Sequence, residues 1–431
     1  MTVTISEPLS LPCGVTLKNR LCKGAMTEGV ADEHNRATDR HAMLYKRWAD
    51  GGAGLLLTGN VQVDRRYLER AGNVVIEGVQ SNEQLAGLAG FAEAGTSNGA
   101  HVWMQISHGG RQTPKNISEE PVGPSDIKLA LPGGRFGKPR ALTHDEILDV
   151  IQRFAHVASV AKQTGFTGVQ VHAAHGYLIS EFLSPKVNLR DDQWGGSINN
   201  RARLLVEVIR ATRTKVGTDF PIAVKLNSAD FQKGGFSFED CLAVVELLNA
   251  EGVDLLEISG GTYEQPRLLG MEGMEPVFEQ KVQTSTRARE AYFFNYAVAV
   301  RKVAKMPVMV TGGFRSRAAM NEALSGGEVD MIGLGRPLCW DPDFPNKIME
   351  GSVEKAEPVE KTLRLGPGIF GPNSPIKFIK MINGFGTQSW YYEQIYRMAD
   401  GKDPDLKMTM RQTFGRYDKI ENDKAKAMVR G

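Results

Sequence analysis

Cysteine is scarce in this chain, and the few it has lie far apart. Its 431 residues include four, Cys13, Cys22, Cys241 and Cys339. None forms a C-x-x-C pair, which excludes the spacing of a zinc ribbon or an iron–sulfur cluster. Four dispersed thiols in so long a chain do not make a disulfide framework either. An excess of one charge is also lacking. Lys and Arg number 52 against 50 Asp and Glu, so there is no electrostatic case for nucleic acid or an anionic membrane as partner. No run of 18 apolar residues occurs, and no spanning helix is expected. Residues 1–12 lack the basic stretch and apolar run of a secretory signal. These absences lead to the expectation of a soluble, cytoplasmic protein acting on small molecules. Homo-oligomerisation leaves no mark in the sequence and stays open.

What is present is an alternation. Short runs rich in Val, Ile and Leu recur at Leu21–Met26, Gly54–Val63, His101–Ser107, Gly168–His172, Pro221–Leu226, Val253–Ile258, Pro307–Thr311 and Val329–Gly333. Such runs suit strands buried on both faces. Amphipathic stretches lie between them. Ala42–Asp50 runs into Gly51-Gly52, a helix stop. Thr143 with Glu146 reads as a capping box ahead of Ile147, Val150, Ile151 and Phe154. Ser237 heads another helix. Eight strand–helix units predict an α/β fold, a closed (β/α)8 TIM barrel over residues 1–350, with a C-terminal extension over 351–431 packing on it or trailing from it. Two long connections, Gly109–Leu142 and Gly260–Gln283, follow the third and sixth strands. They are expected on the catalytic face as walls or lids of a pocket.

Chemistry concentrates after the fourth strand, in His172-Ala173-Ala174-His175-Gly176-Tyr177. Two imidazoles and a phenol at a strand's carboxyl end suit polarising a carbonyl and delivering a proton. The alternatives are a metal site and a structural histidine pair. A catalytic zinc takes three protein ligands, and no third ligand stands at a characteristic spacing.

Glycines mark the last two units: Gly312-Gly313-Phe314-Arg315 and Gly333-Leu334-Gly335-Arg336. Loops at these places in such barrels often hold a phosphate, with backbone N–H groups approaching closely and Arg336 able to clamp it. Tight turns are the plain alternative. A phosphorylated cofactor such as a flavin mononucleotide would unite the phosphate site with the acid–base groups. Gln105 and Lys225 are polar residues within apolar strands, suited to a flavin's pyrimidine edge and to its N1/O2 side. Lys225 snorkelling to the rim is the competing reading. Thr27 offers a hydroxyl to the O4 edge, or is an ordinary turn residue.

These residues fall into a known pattern. Asn19-Arg20-Leu21 to Ala25-Met26-Thr27, Gly51–Leu55, Gln105–Arg111, His172–Tyr177 and Glu181-Phe182-Leu183-Ser184-Pro185 through Asn200-Arg201 match it, as do Gly312-Gly313-Phe314 and Gly335-Arg336-Pro337. Over roughly residues 5–350 the chain resembles the Old Yellow Enzyme family of FMN-dependent ene-reductases. The resemblance implies hydride transfer from NADPH or NADH to FMN N5, and then to the β-carbon of an activated alkene. His172 and His175 would bind the substrate's carbonyl, and Tyr177 would protonate the α-carbon. Thr27 would contact O4. Gln105, with the backbone of Ala25, Met26 and Gly59, would hold the pyrimidine edge. Lys225 would sit by N1/O2, and Gly312, Gly313, Gly335 and Arg336 would hold the phosphate.

There are departures. Many members have Pro where Ala25 stands and Arg where Lys225 stands, and Thr27 replaces the Cys of one subgroup. The cysteines and length of the cluster-bearing larger relatives are missing. Three other readings remain at this point: an FMN dehydrogenase working in the oxidative direction, a flavin-free isomerase or lyase of a phosphorylated sugar, and a non-catalytic barrel binding through its aromatic C-terminal segment.

Overall fold

The computed structural model describes residues 3–131, 134–264 and 293–429. Eight parallel strands close into a barrel: β1 Leu21–Lys23, β2 Leu55–Gln62, β3 His101–Ser107, β4 Gly168–Ala173, β5 Ile222–Asn227, β6 Leu255–Ser259, β7 Val308–Thr311 and β8 Met331–Leu334. Each pairs with its neighbours in chain order, and β8 returns to β1. This is the (β/α)8 TIM barrel expected from the alternation. Every strand residue but His101 is buried, as strands sandwiched between a packed interior and a coat of helices must be.

Helices α1 Asp39–Asp50, α2 Asn82–Gly95, α3 His144–Gln163, α4 Leu178–Leu183, α5 Ile198–Val216, α6 Phe238–Leu248, α7 Phe294–Arg301 and α8 Arg317–Ser325 follow the strands in turn. The capping box at α3 forms: Thr143 N–H donates to Glu146 Oε2 at 2.8 Å, and Glu146 N–H to Thr143 Oγ1 at 3.3 Å. Ser237 Oγ likewise accepts from Asp240 N–H. Helix α1 starts three residues earlier than its apolar period suggests. The cause is a cap of unusual type, with His41 Nδ1 accepting the Thr38 N–H at 3.1 Å. Its end also differs. Gly51 is helical, and the left-handed turn falls on Gly52, φ 99°. A Cβ on Gly51 would lie 1.9 Å from the Pro342 carbonyl oxygen, so packing on the last βα unit demands that glycine. Strand β1 stops at Lys23 rather than Met26. Its successor Gly24 gives its N–H to Leu334 O, and the chain then turns across the barrel mouth beside β2.

Side chains alternate along each strand between the barrel interior and the helices. The interior fills in layers. At the amino-terminal end Cys22, Leu55, Leu57, Trp103, Ala223, Leu255, Met309 and Met331 pack together. A small hairpin, Leu9–Ser10 against Thr16–Leu17, plugs this end with Leu9, Leu11 and Leu17. Two residues further along several strands the interior turns polar. Gln105 Nε2 donates to Gln170 Oε1 at 2.7 Å, Gln170 Nε2 to Glu257 Oε2 at 2.8 Å, and Lys225 Nζ pairs with Glu257 Oε1 at 2.9 Å. Lys225 and Glu257 are 2% and 0% exposed, which excludes the snorkelling reading.

After the barrel come two short helices, α9 Pro337–Trp340 and α10 Phe344–Glu350, then α11 Lys377–Ala399 and α12 Met410–Ala427. The last two do not trail. They pack on each other, and α11 lies against α1. Arg70, in the segment after β2, reaches Glu421 of α12 at 2.5 Å and 3.0 Å, and its guanidinium stacks on Tyr392. This ion pair is buried, at 7% and 8% side-chain exposure. Among the described residues no helix is long and apolar enough to cross a membrane.

Glu257→Leu should strand the Lys225 ammonium in the interior and lower stability by about 3–5 kcal/mol. The double change Lys225→Met with Glu257→Leu should recover most of that loss. Urea unfolding of the three variants checks it. Equal losses in single and double variants would show that packing, not charge, is at stake.

Candidate active site

The upper interior positions of β4, β5 and β6 are His172, Asn227 and Ser259. Each stands two residues beyond a member of the polar layer on the same strand. His172 Nδ1 accepts the Ala174 N–H at 3.2 Å, which leaves the ring proton on Nε2. His175 lies in the loop leaving β4 with φ 63°, a left-handed backbone that costs a non-glycine residue of order 1–3 kcal/mol. Neighbours hold it there. Its N–H donates to Asn227 Oδ1 at 3.1 Å, its carbonyl accepts from Gln112 Nε2 at 3.0 Å, and its Nε2 meets Ser259 Oγ at 2.8 Å. Gly176 follows at φ 79°, and a Cβ there would come within 2.8 Å of Gln112.

The turn brings the three expected residues together. The rings of His172 and His175 meet edge to face at 5.1 Å, and His172 meets Tyr177 at 4.9 Å. Tyr177 Oη is 2.8 Å from Tyr263 Oη. Burial holds both histidines well below the usual imidazole range, and the Lys225 charge adds to this for each. Burial raises the Tyr177 phenol well above its ordinary value, with Glu69 and Tyr263 adding to it. The corner therefore offers neutral imidazoles and a protonated phenol, a set of donors rather than bases.

The other expected positions surround this corner. Gln105 and Lys225 lie in the polar layer below it. Thr27 Oγ1 donates to Glu69 Oε2 at 2.8 Å, and Asn60 Nδ2 donates to the same oxygen at 2.6 Å. Beside them β2 bulges between Leu57 and Asn60. Gly59 sits in that irregularity and donates its N–H to Glu28 Oε1 at 2.7 Å. A Cβ on Gly59 would lie 2.6 Å from the Thr27 Cα, so glycine lets the segment holding Met26 and Thr27 cross closely. Ala25 is half-buried, and the Met26 sulfur lies 3.4 Å from that of Cys339. Gly312 and Gly313 leave β7 with φ 109° and 88°, which L-residues avoid. Gly335 and Arg336 leave β8, and the Arg336 guanidinium comes 4.0 Å from Glu360.

Of the two long connections, the first forms a wall. Gln112 reaches His175, Phe136 lies 6.3 Å from the Tyr263 ring, and Arg111 pairs with Glu264 at 2.8 Å. Pro132 and Gly133 of it are outside the described residues. So is most of the second connection, from residue 265 onward; Gly260–Glu264 of it are described.

Several participants escaped the sequence reading. Gln170 and Glu257 carried the same signal as Gln105 and Lys225, a polar residue inside an apolar strand. Tyr263, Glu69, Ser259 and Asn227 carried none, because ordinary turn and strand-end residues look alike in a sequence.

Comparisons with known proteins bear on the family and the fold. Residues 4–355 match the model of the NADH:flavin oxidoreductase / NADH oxidase family. The NADH-dependent flavin oxidoreductase iliE of Hypocrea jecorina is 37% identical over 360 residues, covering 80% of this chain and 88% of that protein. Among solved structures, 2-naphthoyl-CoA reductase in complex with 2-naphthoyl-CoA superposes with a TM-score of 0.72 at 28% identity. That likeness covers 82% of this chain and 53% of the reductase. The Old Yellow Enzyme homologue of Zymomonas mobilis superposes with a TM-score of 0.68 at 25% identity, over 83% of this chain and 95% of its own.

The buried histidines make stability pH-dependent. Burial pushes His41 and His108 down to about 4 and holds His172 and His175 well below the usual imidazole range. Below about 6.5 the unfolded chain takes up protons that the folded chain refuses. Each group therefore removes up to ~1.4 kcal/mol per pH unit as pH falls. The melting temperature should drop steadily from pH 7 toward pH 5. A flat profile over that interval would show these imidazoles to be protonated in the fold.

Proposed function

Since the chain belongs to the NADH:flavin oxidoreductase / NADH oxidase family, we propose that it is an ene-reductase, taking hydride from NADH or NADPH and delivering it to an activated alkene such as an α,β-unsaturated carbonyl compound. FMN is the flavin of this family, and the residues present suit it. Gly335 has an ordinary φ, and a Cβ there would meet only the Met26 sulfur at 3.9 Å. The chain's own packing thus gives no reason for that glycine, whereas a phosphate approaching the backbone does. Asn60 Oδ1 and Thr311 Oγ1 are buried at the mouth with no hydrogen-bond partner among the described residues. Gly312, Gly313, Gly335 and Arg336 would hold the phosphate. Gln105 and the backbone of Ala25, Met26 and Gly59 would hold the pyrimidine edge, with Thr27 at O4 and Lys225 toward N1/O2. The bound flavin supplies a two-electron hydride carrier between nicotinamide and alkene.

The protein's part is orientation and proton control. His172 Nε2–H donates to the substrate's carbonyl oxygen. In this reading the Ser259 hydroxyl, 2.8 Å from His175 Nε2, donates to that nitrogen and leaves the ring's proton on Nδ1 as a second donor. Two neutral donors stabilise the enolate charge that develops on the oxygen. Tyr177 gives its phenolic proton to the α-carbon, where the new C–H bond forms. Its raised proton affinity keeps it charged with a proton through the working pH range. Buried walls around the corner exclude water from the enolate. The observation that carries this reading is the convergence of His172, His175 and Tyr177 in one buried corner, each neutral. The shared chemistry also serves the oxidative direction, and the half-reactions separate the two.

Under anaerobic conditions, Tyr177→Phe should slow reduction of an enone such as cyclohexenone by roughly 10²–10⁴-fold. Reduction of the flavin by NADH or NADPH should stay within a few-fold of the parent. Rapid-mixing absorbance at the flavin band reads both steps. Equal loss in both steps would remove Tyr177 from the proton-donor role. A normal first step with no enone turned over by the parent protein would favour the oxidative reading.

A further inference from the structure

The segment that follows the barrel is stitched to the loop after β7. Ala356 N–H donates to Arg315 O at 2.9 Å, Arg317 N–H to Glu354 O at 2.9 Å, and Arg315 Nη1 to Glu357 O at 3.0 Å. This antiparallel run ends by setting the Glu360 carboxylate against two guanidinium groups. Arg315 Nη2 lies 2.5 Å from Glu360 Oε1, and Arg336 Nη1 lies 4.0 Å from the same oxygen. Tyr391 of α11 donates its hydroxyl to Glu360 Oε2 at 3.2 Å. Arg315 stands two residues after Gly313, and Arg336 follows Gly335 directly. The carboxylate therefore sits beside the positive charges where a phosphate is expected. Its side chain is 23% exposed, so it is close to solvent rather than locked in the core.

We infer that Glu360 is a built-in competing anion at the phosphate end of the flavin site, and that the C-terminal segment uses it to set how tightly the cofactor is held. This rests on the placement of the phosphate given above. Two arginines facing one carboxylate present a net charge of about +1 to a phosphate carrying close to −2. Loss of the carboxylate exposes both cations in full. The interaction is electrostatic and partly solvated, so salt weakens it. Tyr391 anchors the carboxylate to α11 and so ties cofactor retention to the docking of the extension.

The 431-residue chain, loaded with FMN or with riboflavin, is diluted, and release is followed by the recovery of free-flavin fluorescence. Glu360→Gln and Glu360→Ala should both retain FMN roughly 10-fold more tightly at low salt, and the gain should shrink as salt rises. Riboflavin, which has no phosphate, should be released at the parent's rate. Glu360→Asp, which keeps the charge, should behave like the parent. Unchanged or weaker FMN retention in both neutral variants, or an equal change for riboflavin, overturns the inference. Arg336→Ala tests the placement separately: it should weaken FMN but not riboflavin. If Arg336→Ala leaves FMN retention unchanged, the phosphate lies elsewhere and the premise itself fails.

Discussion

The upper half of this barrel depends on one buried ion pair. Lys225 and Glu257 face each other across adjacent strands at 2.9 Å, with essentially no exposure. Neither charge is tolerable alone in that interior. Together, extended by Gln170 and Gln105, they form a hydrogen-bonded plate on top of an apolar plug. The next interior positions up are His172 above Gln170, Asn227 above Lys225, and Ser259 above Glu257. Asn227 and Ser259 in turn hold the backbone and ring of His175. The geometry of the candidate site is thus an extension of the plate's register.

The plate also sets the electrostatics of the corner above it. Burial opposes protonation of both imidazoles, and the cation beneath them opposes it further. Burial likewise keeps the proton on the Tyr177 phenol, and the Glu69 carboxylate and the Tyr263 hydroxyl add to that. Donors are kept as donors by the surroundings rather than by their intrinsic chemistry. Glu69 also accepts the hydroxyl of Thr27 and the amide of Asn60, so one carboxylate touches the candidate flavin edge and influences the phenol.

The C-terminal segment belongs to the same construction. Arg70, adjacent to Glu69, is buried against Glu421, Tyr392 and Tyr396 of the last two helices. At the other side of the mouth Glu360 pairs with Arg315 and accepts the Tyr391 hydroxyl. The extension therefore grips the loops after β2 and β7, the two that flank the candidate cofactor site. An apolar count of the sequence gives no hint of this, because the contacts are made by charged and aromatic side chains.

Local patterns reach a definite distance. Runs of Val, Ile and Leu located all eight strands, and Thr143 and Ser237 located helix starts, because strand and helix periods and caps are properties of neighbouring residues. Gln105, Lys225 and His172 stood out for the same reason, as polar residues on strands otherwise apolar. The sequence by itself thus determined the barrel, its order and the strand end that carries the candidate site. Only the closed tertiary structure decided that Glu257 answers Lys225, that Tyr263 meets Tyr177, and that Glu360 lies against Arg315. These partners are 32, 86 and 45 positions apart. They meet because barrel closure fixes strand register and the loops follow it, a long-range constraint that no short window of residues contains.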